Sequence, residues 1–468
     1  RKGIIINMKH MSLYEITQAC GGVYHGDPAL ADREVESVAI DSRKAGKNGL
    51  FIAIKGARVD GHSFITQVME NGALCAVSER ALGDVPFPYI QVSSCLQALK
   101  DIAEHYRQSL DIKVVGISGS VGKTSTKEMI ASILSQKYCV LKTEGNFNNE
   151  IGLPLTVFNL REEHQVAVLE MGISEFGEMS RLAKIARPDI CVITNIGLAH
   201  LESLGSRDGI LKAKTEMIEY MNPDGAIILN GDDDKLRSFC PSNGLEPVYF
   251  GLESSQPFHA EDIISRGIEG TDATFVTPSS TFRAHIPVPG SHMVYNALAG
   301  IAVGLRMGLN EKELIAGIES LKSIAGRSNL IRTEQFSIID DCYNANPVSM
   351  KSSLSILAHS GGRTVAVLGD MFELGPAEKE MHFEVGKYAA EQKVSVLVCI
   401  GPLSAETARG AREAAGDGMK IYYFSSKENF LADMNKILQS GDTILVKASH
   451  GMEFSKIVER LQNEGIKS

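Results

Sequence analysis

The sequence contains no closely spaced pair of cysteines. Its eight cysteines, at positions 20, 75, 95, 139, 191, 240, 342 and 399, are scattered over 468 residues without a Cys-x-x-Cys pair. This spacing argues against a zinc site and is typical of reduced thiols, so we expect a cytoplasmic protein. No apolar run approaches the roughly 18 residues of a membrane span, and no secretion signal is recognisable. We therefore expect no membrane span.

Positive charge is not in excess either. The 47 Lys and Arg residues against 57 Asp and Glu give a formal net charge of −10. Nucleic acids and anionic membranes favour basic surfaces, so we expect neither as a partner. The length predicts about three domains, and there is no internal repeat or low-complexity linker. Residues 1–7, which precede Met8 and Met11, are excluded from the fold prediction.

The most informative segment is a glycine-rich turn in residues 114–125. An apolar strand leads through glycines at 116, 119 and 122 into Lys123 and Thr124 at a predicted helix start. In such a turn backbone N–H groups converge on phosphate oxygens, the lysine bridges the terminal phosphates, and the threonine offers its hydroxyl to magnesium. Ile117 stands where the strict GxxxxGK[ST] pattern has glycine, so this loop is a variant. The pattern favours a nucleoside triphosphate site over a turn that merely joins a strand to a helix.

Alternating strand and helix patterns predict an α/β protein of three domains, at 8–110, 111–327 and 328–468. In the first, small α/β domain we expect a helix at 95–108 and short strands at 35–40, 50–54, 75–77 and 89–92. In the central domain, the phosphate loop precedes predicted parallel strands at 166–170, 190–195 and 226–230. Residues 234–289 predict an extra β-rich sheet at its edge, followed by a helix at 295–307.

The third block has the alternation of a doubly wound, Rossmann-like parallel sheet. Its predicted strands, separated by helical segments, are 337–341, 364–368, 394–400, 420–424 and 443–446. Short connections near residues 110 and 327 would let the domains close over a shared site, and ligands commonly occupy clefts between domains.

Three ionisable residues follow strands of the central domain. Glu170 ends a buried strand at the edge where ligands gather, which favours a magnesium ligand over a solvated glutamate. His200 follows the next strand and would bind a second metal ion or orient substrate; the alternative is an ordinary surface histidine. Lys214 lies on the following helix, where the plainest interpretation is a solvated helix face.

Four polar loops are further candidates for ligand binding. The turn at 143–152 is dense in amide side chains, which suit a polar, uncharged part of a substrate, although such turns are also made for structural reasons. Residues 340–347, 369–375 and 447–453 follow strands of the third block and would lie at one edge of its sheet. Three polar loops at one edge favour a ligand there.

Together these motifs resemble those of the Mur ligase family, over essentially the whole chain. The family's phosphate loop, Gly-x-(Thr/Ser)-Gly-(Thr/Ser)-x-Gly-Lys-Thr, fits residues 116–124 and explains Ile117. The resemblance implies an enzyme in which ATP phosphorylates a substrate carboxylate, an amine attacks the acyl phosphate, and ADP and phosphate leave. It implies ATP and two Mg²⁺ ions as cofactors.

By this resemblance, the catalytic residues are Lys123, His200 and Lys214, the last as a carbamylated lysine, and the magnesium ligands are Thr124, Glu170 and His200. Asn296 would contact adenine, Arg327 would reach the ATP phosphates across the domain boundary, and Asp341 would lie on the ribose or phosphate side. Met293 departs from the asparagine often found there. The implied ATP-binding set is Gly119, Ser120, Val121, Gly122, Lys123, Thr124, Ser125, Asn296, Arg327 and Asp341.

Residues 146–152 and 343–347 resemble the branch of the family that adds D-alanyl-D-alanine to UDP-N-acetylmuramoyl-tripeptide, whereas the Asp-Asn-Pro-Arg signature for diaminopimelate is not found. Residues 41–43 and 60–62 resemble the UDP-sugar site. The implied substrate-binding residues are Ser42, Arg43, Asp60, Gly61, His62, Asn146, Asn148, Asn149, Tyr343, Asn344 and Asn346. We expect a monomer that makes the pentapeptide precursor of peptidoglycan. The alternatives are another amino-acid ligase of the family and a nucleotide-dependent regulatory switch, and the third residue of the tripeptide, lysine or diaminopimelate, is left open.

Overall fold

The computed structural model describes residues 8–57, 59–323, 325–416 and 418–463. Residues 1–7, excluded from the fold prediction, and residues 464–468, which end the predicted third domain, lie outside the described residues. Within these ranges, no helix is both long and apolar enough to cross a bilayer.

The described residues form four sheets, of which the first is small and mostly parallel. Its strands are β1 (Val23–His25), β2 (Val38–Ala39), β3 (Leu50–Ile52), β4 (Cys75–Ser78) and β5 (Tyr89–Gln91), and its helices are α1 (Leu13–Ala19), α2 (Ile65–Glu70) and α3 (Cys95–Gln108). The spatial order is β1-β5-β4-β3-β2, and only β1 pairs antiparallel. The predicted helix at 95–108 is found with the same bounds. Strand β1 was not predicted because three residues carry too little alternation.

The central sheet is entirely parallel. Its strands are β6 (Lys113–Ser118), β7 (Val140–Lys142), β8 (Val166–Glu170), β9 (Ile190–Ile193), β10 (Ala226–Asn230) and β11 (Val248–Phe250), in the order β11-β10-β9-β6-β8-β7. Strand β6 is central and runs into the glycine-rich turn. The connecting helices are α4 (Lys123–Leu134), α5 (Gly152–Val157), α6 (Glu178–Ala186), α7 (Leu201–Leu204), α8 (Arg207–Thr215) and α9 (Asp234–Arg237).

The later part of the β-rich stretch forms a separate sheet, as predicted, whereas its first strand, β11, joins the central sheet; the chain then returns to the central unit. The separate sheet consists of β12 (His259–Ser265), β13 (Thr271–Val276) and β14 (Thr281–Ile286). Two helices follow, α10 (Met293–Arg306) and α11 (Glu311–Glu319). The apolar residues of β13, β14 and α10 share one core with helix α4 and one face of the central sheet. The start of α10 is thereby fixed beside the glycine-rich turn.

The last sheet is doubly wound, as predicted. Its strands are β15 (Asn329–Arg332), β16 (Ser337–Asp340), β17 (Thr364–Gly369), β18 (Val396–Ile400), β19 (Lys420–Phe424) and β20 (Thr443–Lys447), in the order β15-β16-β20-β17-β18-β19. Only β15 is antiparallel to its neighbour. The helices are α12 (Pro347–Ala358), α13 (Glu378–Glu391), α14 (Ser404–Ala414), α15 (Lys427–Ile437) and α16 (Ser455–Asn463).

Alternate strand residues enter two cores on opposite faces of this last sheet. Ile338, for example, packs with α15 and α16, whereas Ile339 packs with α12, α13 and α14. Such two-sided burial is the reason that the strands read as continuous apolar runs. The carboxyl ends of the parallel strands carry the polar loops predicted from the sequence.

The first and central sheets are joined by a continuous apolar core that includes α3, α5 and α6. The Tyr106 hydroxyl donates a hydrogen bond to the Leu160 carbonyl at 2.6 Å, and the buried guanidinium of Arg107 donates to the carbonyls of Ala186, Leu110 and Ile112. These bonds satisfy backbone groups at the junction, which would be costly to bury unpaired. We keep 8–110, 111–327 and 328–468 as proposed domain boundaries.

Candidate functional site

A cavity of about 500 Å³ lies between the central sheet and the last sheet. On the central side it is lined by the glycine-rich turn, by loops after β9 and β10, and by the start of α10. On the other side it is lined by the loop after β16 and the start of α12. The predicted site residues among its lining are Ser120, Val121, Gly122, Lys123, Thr124, Ser125, Asn148, Glu170, Asn296, Arg327, Asp341, Tyr343, Asn344 and Asn346.

The glycine-rich turn depends on two glycines with positive φ. Gly122, at φ 84°, is the N-cap of α4, so the next backbone N–H groups point out of the helix end. Gly119 has a φ of 149°, and a Cβ there would lie 1.9 Å from Oγ1 of Thr194. Asn195 braces the turn, because its amide both accepts from the N–H of Val121 and donates to its carbonyl. The result is a rigid loop with free donors at a helix N-terminus, which is suited to phosphate binding.

Lys123 reaches back over this turn, where its Nζ donates to the Gly119 carbonyl at 2.7 Å. Burial and the nearby Arg327 lower the pKa of Lys123, and the carboxylate of Glu170 opposes this shift. Two cations and one carboxylate therefore face the same cavity. Their balance favours a polyanion such as a triphosphate, which would neutralise the excess positive charge.

Glu170 is buried at the end of β8, with 2% of its surface exposed. Its Oε1 accepts a hydrogen bond from the Asn148 amide at 2.9 Å, whereas no described residue donates to its buried Oε2. An unpaired carboxylate oxygen in a cavity is costly unless a ligand satisfies it. No group of three or more His, Cys, Asp or Glu side chains suited to a metal was found in the described part of the chain. A carboxylate and the Thr124 hydroxyl beside phosphate oxygens fit magnesium, which commonly takes few protein ligands.

Arg327 connects the two walls of the cavity. Its guanidinium donates to Oγ1 of Thr124 at 3.2 Å and lies 4.0 Å from the ring centre of Tyr343. A planar guanidinium is well suited both to stacking on an aromatic ring and to binding phosphate. The structure thus places Arg327 at the phosphate loop from across the predicted domain boundary.

Asp341 is held by three partners on its own side of the cavity. Its carboxylate accepts from the N–H of Ser328 at 2.9 Å, from the Ser353 hydroxyl, and from Lys447 Nζ at 2.6 Å. Lys447 is itself buried and also donates to the Asn344 carbonyl. These bonds tie the start of β15, helix α12 and the end of β20 together.

At the other end of the cavity, Asn296 lies on the first turns of α10. Its Oδ1 accepts from the Thr126 hydroxyl at 2.9 Å, and its amide nitrogen lies 3.1 Å from the sulfur of Met293. A polar contact between the two walls lies nearby, where Nδ1 of His292 is 3.1 Å from the Ser352 hydroxyl. Although Met293 stands where the family often has asparagine, Asn296 is held at the cavity wall.

His200 and Lys214 do not line the cavity but are electrostatically coupled to it. Lys214 is 1% exposed, so the interpretation of a solvated helix face is wrong for it, although it holds for the exposed Lys212. Burial and then Lys123 lower the pKa of Lys214 well below its usual value. His200 has a φ of 62°, and its pKa is lowered by burial and by Lys214 and Lys123, against an opposing effect of Glu373.

The predicted substrate residues of the turn at 143–152 divide by role. Asn148 contacts Glu170, whereas Oδ1 of Asn149 accepts from the N–H groups of Ile151 and Gly152 and so caps α5. Asn146 is exposed and does not line the cavity. Of these asparagines, the structure brings only Asn148 into the cavity.

The predicted UDP-sugar residues lie in the first domain, away from this cavity. Arg43 is exposed and forms a two-pronged ion pair with Asp41, lowering the pKa of Asp41 to about 2. Asp60 accepts from the ring of His62 at 2.7 Å and from Arg80 at 2.5 Å, and these bonds, led by that of His62, lower the pKa of Asp60 to about 2. Gly61 is required by close packing, since a Cβ there would lie 2.7 Å from the Ile54 carbonyl. Ser42, between Asp41 and Arg43 in the chain, is partly exposed.

Several cavity residues were not predicted individually from the sequence. Among them are Asn195, His292, Ser353 and Lys447, of which Asn195 braces the phosphate loop and the others join or support the two walls. Two of these carried a usable signal, because Asn195 ends a predicted strand at the same edge as Glu170 and Lys447 begins the predicted polar loop at 447–453. The others depend on contacts between distant parts of the chain.

Three family models match the chain in order along its length. Residues 34–107 match "Mur ligase family, catalytic domain", residues 117–304 match "Mur ligase middle domain", and residues 326–450 match "Mur ligase, glutamate ligase domain". The glycine-rich turn and Asn296 fall within the second match, and Arg327 and Asp341 fall within the third.

Relatives and solved structures match over nearly the whole chain. UDP-N-acetylmuramoyl-tripeptide–D-alanyl-D-alanine ligase of Bacillus subtilis is 38% identical over 93% of this chain and 95% of its own, and that of Escherichia coli is 33% identical over 98% and 100%. A crystal structure of MurF from Acinetobacter baumannii has a TM-score of 0.88 and 32% identity, covering 97% of this chain and 99% of its own. MurF ligase of Thermotoga maritima in complex with ADP has a TM-score of 0.81 and 30% identity, covering 92% and 97%.

Proposed function

The chain belongs to the Mur ligase family, and on that premise we propose that it joins D-alanyl-D-alanine to UDP-N-acetylmuramoyl-tripeptide at the expense of ATP. The product is the pentapeptide precursor of peptidoglycan, with ADP and phosphate released. This is the activity in the names of relatives that cover nearly its whole length. The observation that carries the proposal is the cavity where the phosphate loop, Glu170 and Arg327 converge.

On the ATP side, this chain supplies positioning and positive charge. Backbone N–H groups after Gly119 cradle the phosphates, Lys123 bridges the terminal ones, and Arg327 approaches from the opposite wall. Asn296 lies at the end of the cavity where adenine would bind. Phosphoryl transfer needs little covalent help from the protein, so such positioning and charge neutralisation account for most of the catalysis.

The reaction has two steps. The terminal carboxylate of the tripeptide attacks the γ-phosphorus of ATP, so that ADP leaves and an acyl phosphate forms. The free amine of the dipeptide then attacks the acyl carbon, the C–O bond to phosphate breaks, and the amine loses a proton as phosphate leaves. Because the acyl phosphate is sensitive to water, a site enclosed between two domains suits this chemistry.

Magnesium fits the residues present. We propose that Thr124 and Glu170 hold one ion and that His200 serves a second, on the argument of the unpaired Oε2 of Glu170 and the lowered pKa of His200. Bound magnesium would neutralise charge on the transferring phosphoryl group. The protein's own contribution is to bury Glu170 and to keep His200 neutral.

Lys214 fits a carbamylated role better than that of a free lysine. Carbamylation requires a neutral amine, and burial beside Lys123 favours that form. The product is an anion, which the nearby cation of Lys123 would attract. We therefore propose that Lys214 is carbamylated in the active enzyme.

The remaining assignments complete the proposal. We propose that residues 41–43 and 60–62 bind the UDP-sugar end of the acceptor, and that Tyr343, Asn344 and Asn346 face the incoming dipeptide. The exposed Arg43 is available to a diphosphate, because its pair with Asp41 lies at the surface. The enzyme is proposed to act as a cytoplasmic monomer.

The proposal is tested by phosphate release from ATP and Mg²⁺ with UDP-N-acetylmuramoyl-tripeptide, with and without D-alanyl-D-alanine, followed by the mass of the product. We expect release that requires both substrates and a mass gain of one dipeptide. Release that responds instead to a single amino acid would indicate another ligase of the family. Release that is indifferent to every acceptor would indicate a nucleotide-dependent switch.

A further inference from the structure

The side-chain amide of Asn148, at the wall of the cavity, faces the carboxylate of Glu170. Its Nδ2 donates to Oε1 of Glu170 at 2.9 Å, and this is the only side-chain hydrogen bond to that carboxylate among the described residues. An ionised carboxylate only accepts hydrogen bonds, so the amide nitrogen, not the oxygen, must face it. One oxygen of Glu170 is thereby occupied and the other is left for the cavity.

The backbone around Asn148 is built to hold this orientation. The N–H of Gly172 donates to the Asn148 carbonyl at 2.8 Å, and a Cβ on Gly172 would lie 3.0 Å from the Asn148 amide group. The Glu170 backbone is fixed as well, because its N–H donates to the buried hydroxyl of Thr143 at 2.9 Å. Both ends of the Asn148–Glu170 hydrogen bond are therefore held by residues that follow the neighbouring strands β7 and β8.

The turn that carries Asn148 is also anchored to the first domain. Glu150 accepts from Lys100 of α3 at 3.0 Å and from Arg181 of α6 at 2.5 Å. Asn149 closes the turn by capping α5. Asn148 thus belongs to a rigid junction between the first and central domains, and its side chain has little freedom to reach a substrate.

From this geometry we propose that Asn148 is a positioning residue, which orients Glu170 so that Oε2 faces the metal and phosphate site. This inference rests on the proposed function, and it replaces the expectation that Asn148 binds substrate. A hydrogen bond to one carboxylate oxygen fixes the direction of the other, and partners of this kind commonly change metal affinity when they are removed.

The test measures Mn²⁺ binding in the presence of a non-hydrolysable ATP analogue, and electron paramagnetic resonance of the free ion detects the binding. Asn148→Ala removes the donor, and Asn148→Asp keeps the shape but replaces the donor by an acceptor. We expect both variants to need about 10–100 times more Mn²⁺ for half-saturation than the wild type. The KM for UDP-N-acetylmuramoyl-tripeptide should stay within about twofold, while the Mg²⁺ requirement of turnover rises in parallel.

Asn159→Ala is the matched control, because Asn159 is exposed and donates only to the carbonyl of Leu155. It should leave both measurements unchanged. Thermal unfolding shows whether Asn148→Ala and Asn148→Asp fold. If one of them does not fold, the Mn²⁺ binding of the other tests the inference. Unchanged Mn²⁺ binding, with or without a raised KM for the tripeptide, would overturn the inference. A wild type that binds no Mn²⁺ with the nucleotide analogue would instead contradict the proposed function.

Discussion

Arg327 donates a hydrogen bond to the hydroxyl of Thr124 at 3.2 Å, across the boundary between the central and last sheets. One residue is the proposed phosphate-binding cation and the other a proposed magnesium ligand, so two parts of the site meet at one point. The stacking of Arg327 on Tyr343 fixes the guanidinium from the other side. Catalysis should therefore depend on the shape of this side chain as well as on its charge.

Arg327→Lys keeps the charge but loses the planar donor set and the stacking on Tyr343. We expect kcat to fall by about 100-fold, the usual cost of removing a donor to developing charge. Steady-state kinetics with ATP as the varied substrate measure this effect. Arg332→Lys is the control, because Arg332 is an exposed residue paired with Glu269. Wild-type kcat in Arg327→Lys would argue against a role at the phosphates.

Lys123→Ala should abolish turnover without loss of acceptor binding. The cation proposed to bridge the terminal phosphates is removed, so we expect phosphate release to fall by about 1,000-fold or more. The residues proposed to bind the UDP-sugar lie in another domain, and calorimetry should find UDP-N-acetylmuramoyl-tripeptide bound as by the wild type. Lys113→Ala, at the start of strand β6, which leads into the glycine-rich turn, should retain activity. Unchanged ADP release in Lys123→Ala would refute the assignment.

Lys214→Met should raise stability while it removes activity. A buried amine with a lowered pKa binds fewer protons in the folded than in the unfolded chain. Its contribution to stability therefore rises with pH until the pH reaches the pKa of a lysine in the unfolded chain, about 10.4. Without bicarbonate, we expect Lys214→Met to gain about 1–4 kcal/mol at neutral pH and to show a flatter pH dependence. Denaturant unfolding at several pH values measures both, with the exposed Lys212→Met as control. If Lys214→Met were less stable than the wild type, the conclusion that burial of the Lys214 amine is unfavourable would be contradicted.

Gly119→Ala should cost more than the backbone strain of a positive φ. The added Cβ would meet the Thr194 side chain at 1.9 Å, whereas Gly83, at φ 73°, has nothing within 4 Å of such an atom. We expect Gly83→Ala to lose about 1–2 kcal/mol and Gly119→Ala about 1–3 kcal/mol more, with weaker ATP binding. Urea unfolding and nucleotide titration measure the two effects. Equal losses would mean that the turn adapts to the extra atom.

Tyr106→Phe tests whether the first two domains share one core. Loss of the buried hydrogen bond to the Leu160 carbonyl should cost about 1 kcal/mol, and the first and central domains should still unfold in a single transition. Tyr14→Phe is the control, because Tyr14 is 58% exposed. Calorimetry with probes in each domain measures both. Separate transitions for the two domains would contradict the shared core.

The sequence was most informative where a pattern is local. The glycine-rich turn, the strand that ends at Glu170, and the doubly wound sheet depend on residues close together in the chain, and each is found as predicted. Strands β1 and β15 were missed because they are short or polar edge strands, for which alternation gives little signal.

The roles of Lys214 and Asn148 could not be decided from the sequence. The sequence allowed two interpretations of Lys214, a lysine on a solvated helix face and a residue of the reaction centre. Only the packing of α8 shows that it is buried. Asn148 has the residue type of a substrate ligand, but its orientation is set by Gly172, which is distant in sequence. Such outcomes depend on tertiary contacts that amino-acid spacing does not encode.

In the proposed reaction, ATP activates the tripeptide carboxylate, which then reacts with the dipeptide. The most direct measurement uses UDP-N-acetylmuramoyl-tripeptide with heavy oxygen in its terminal carboxylate, incubated with ATP, Mg²⁺ and D-alanyl-D-alanine. We predict that each phosphate released carries one heavy oxygen and that the pentapeptide product has lost one. Unlabelled phosphate, released at the rate of product formation or without any product, would contradict the claim.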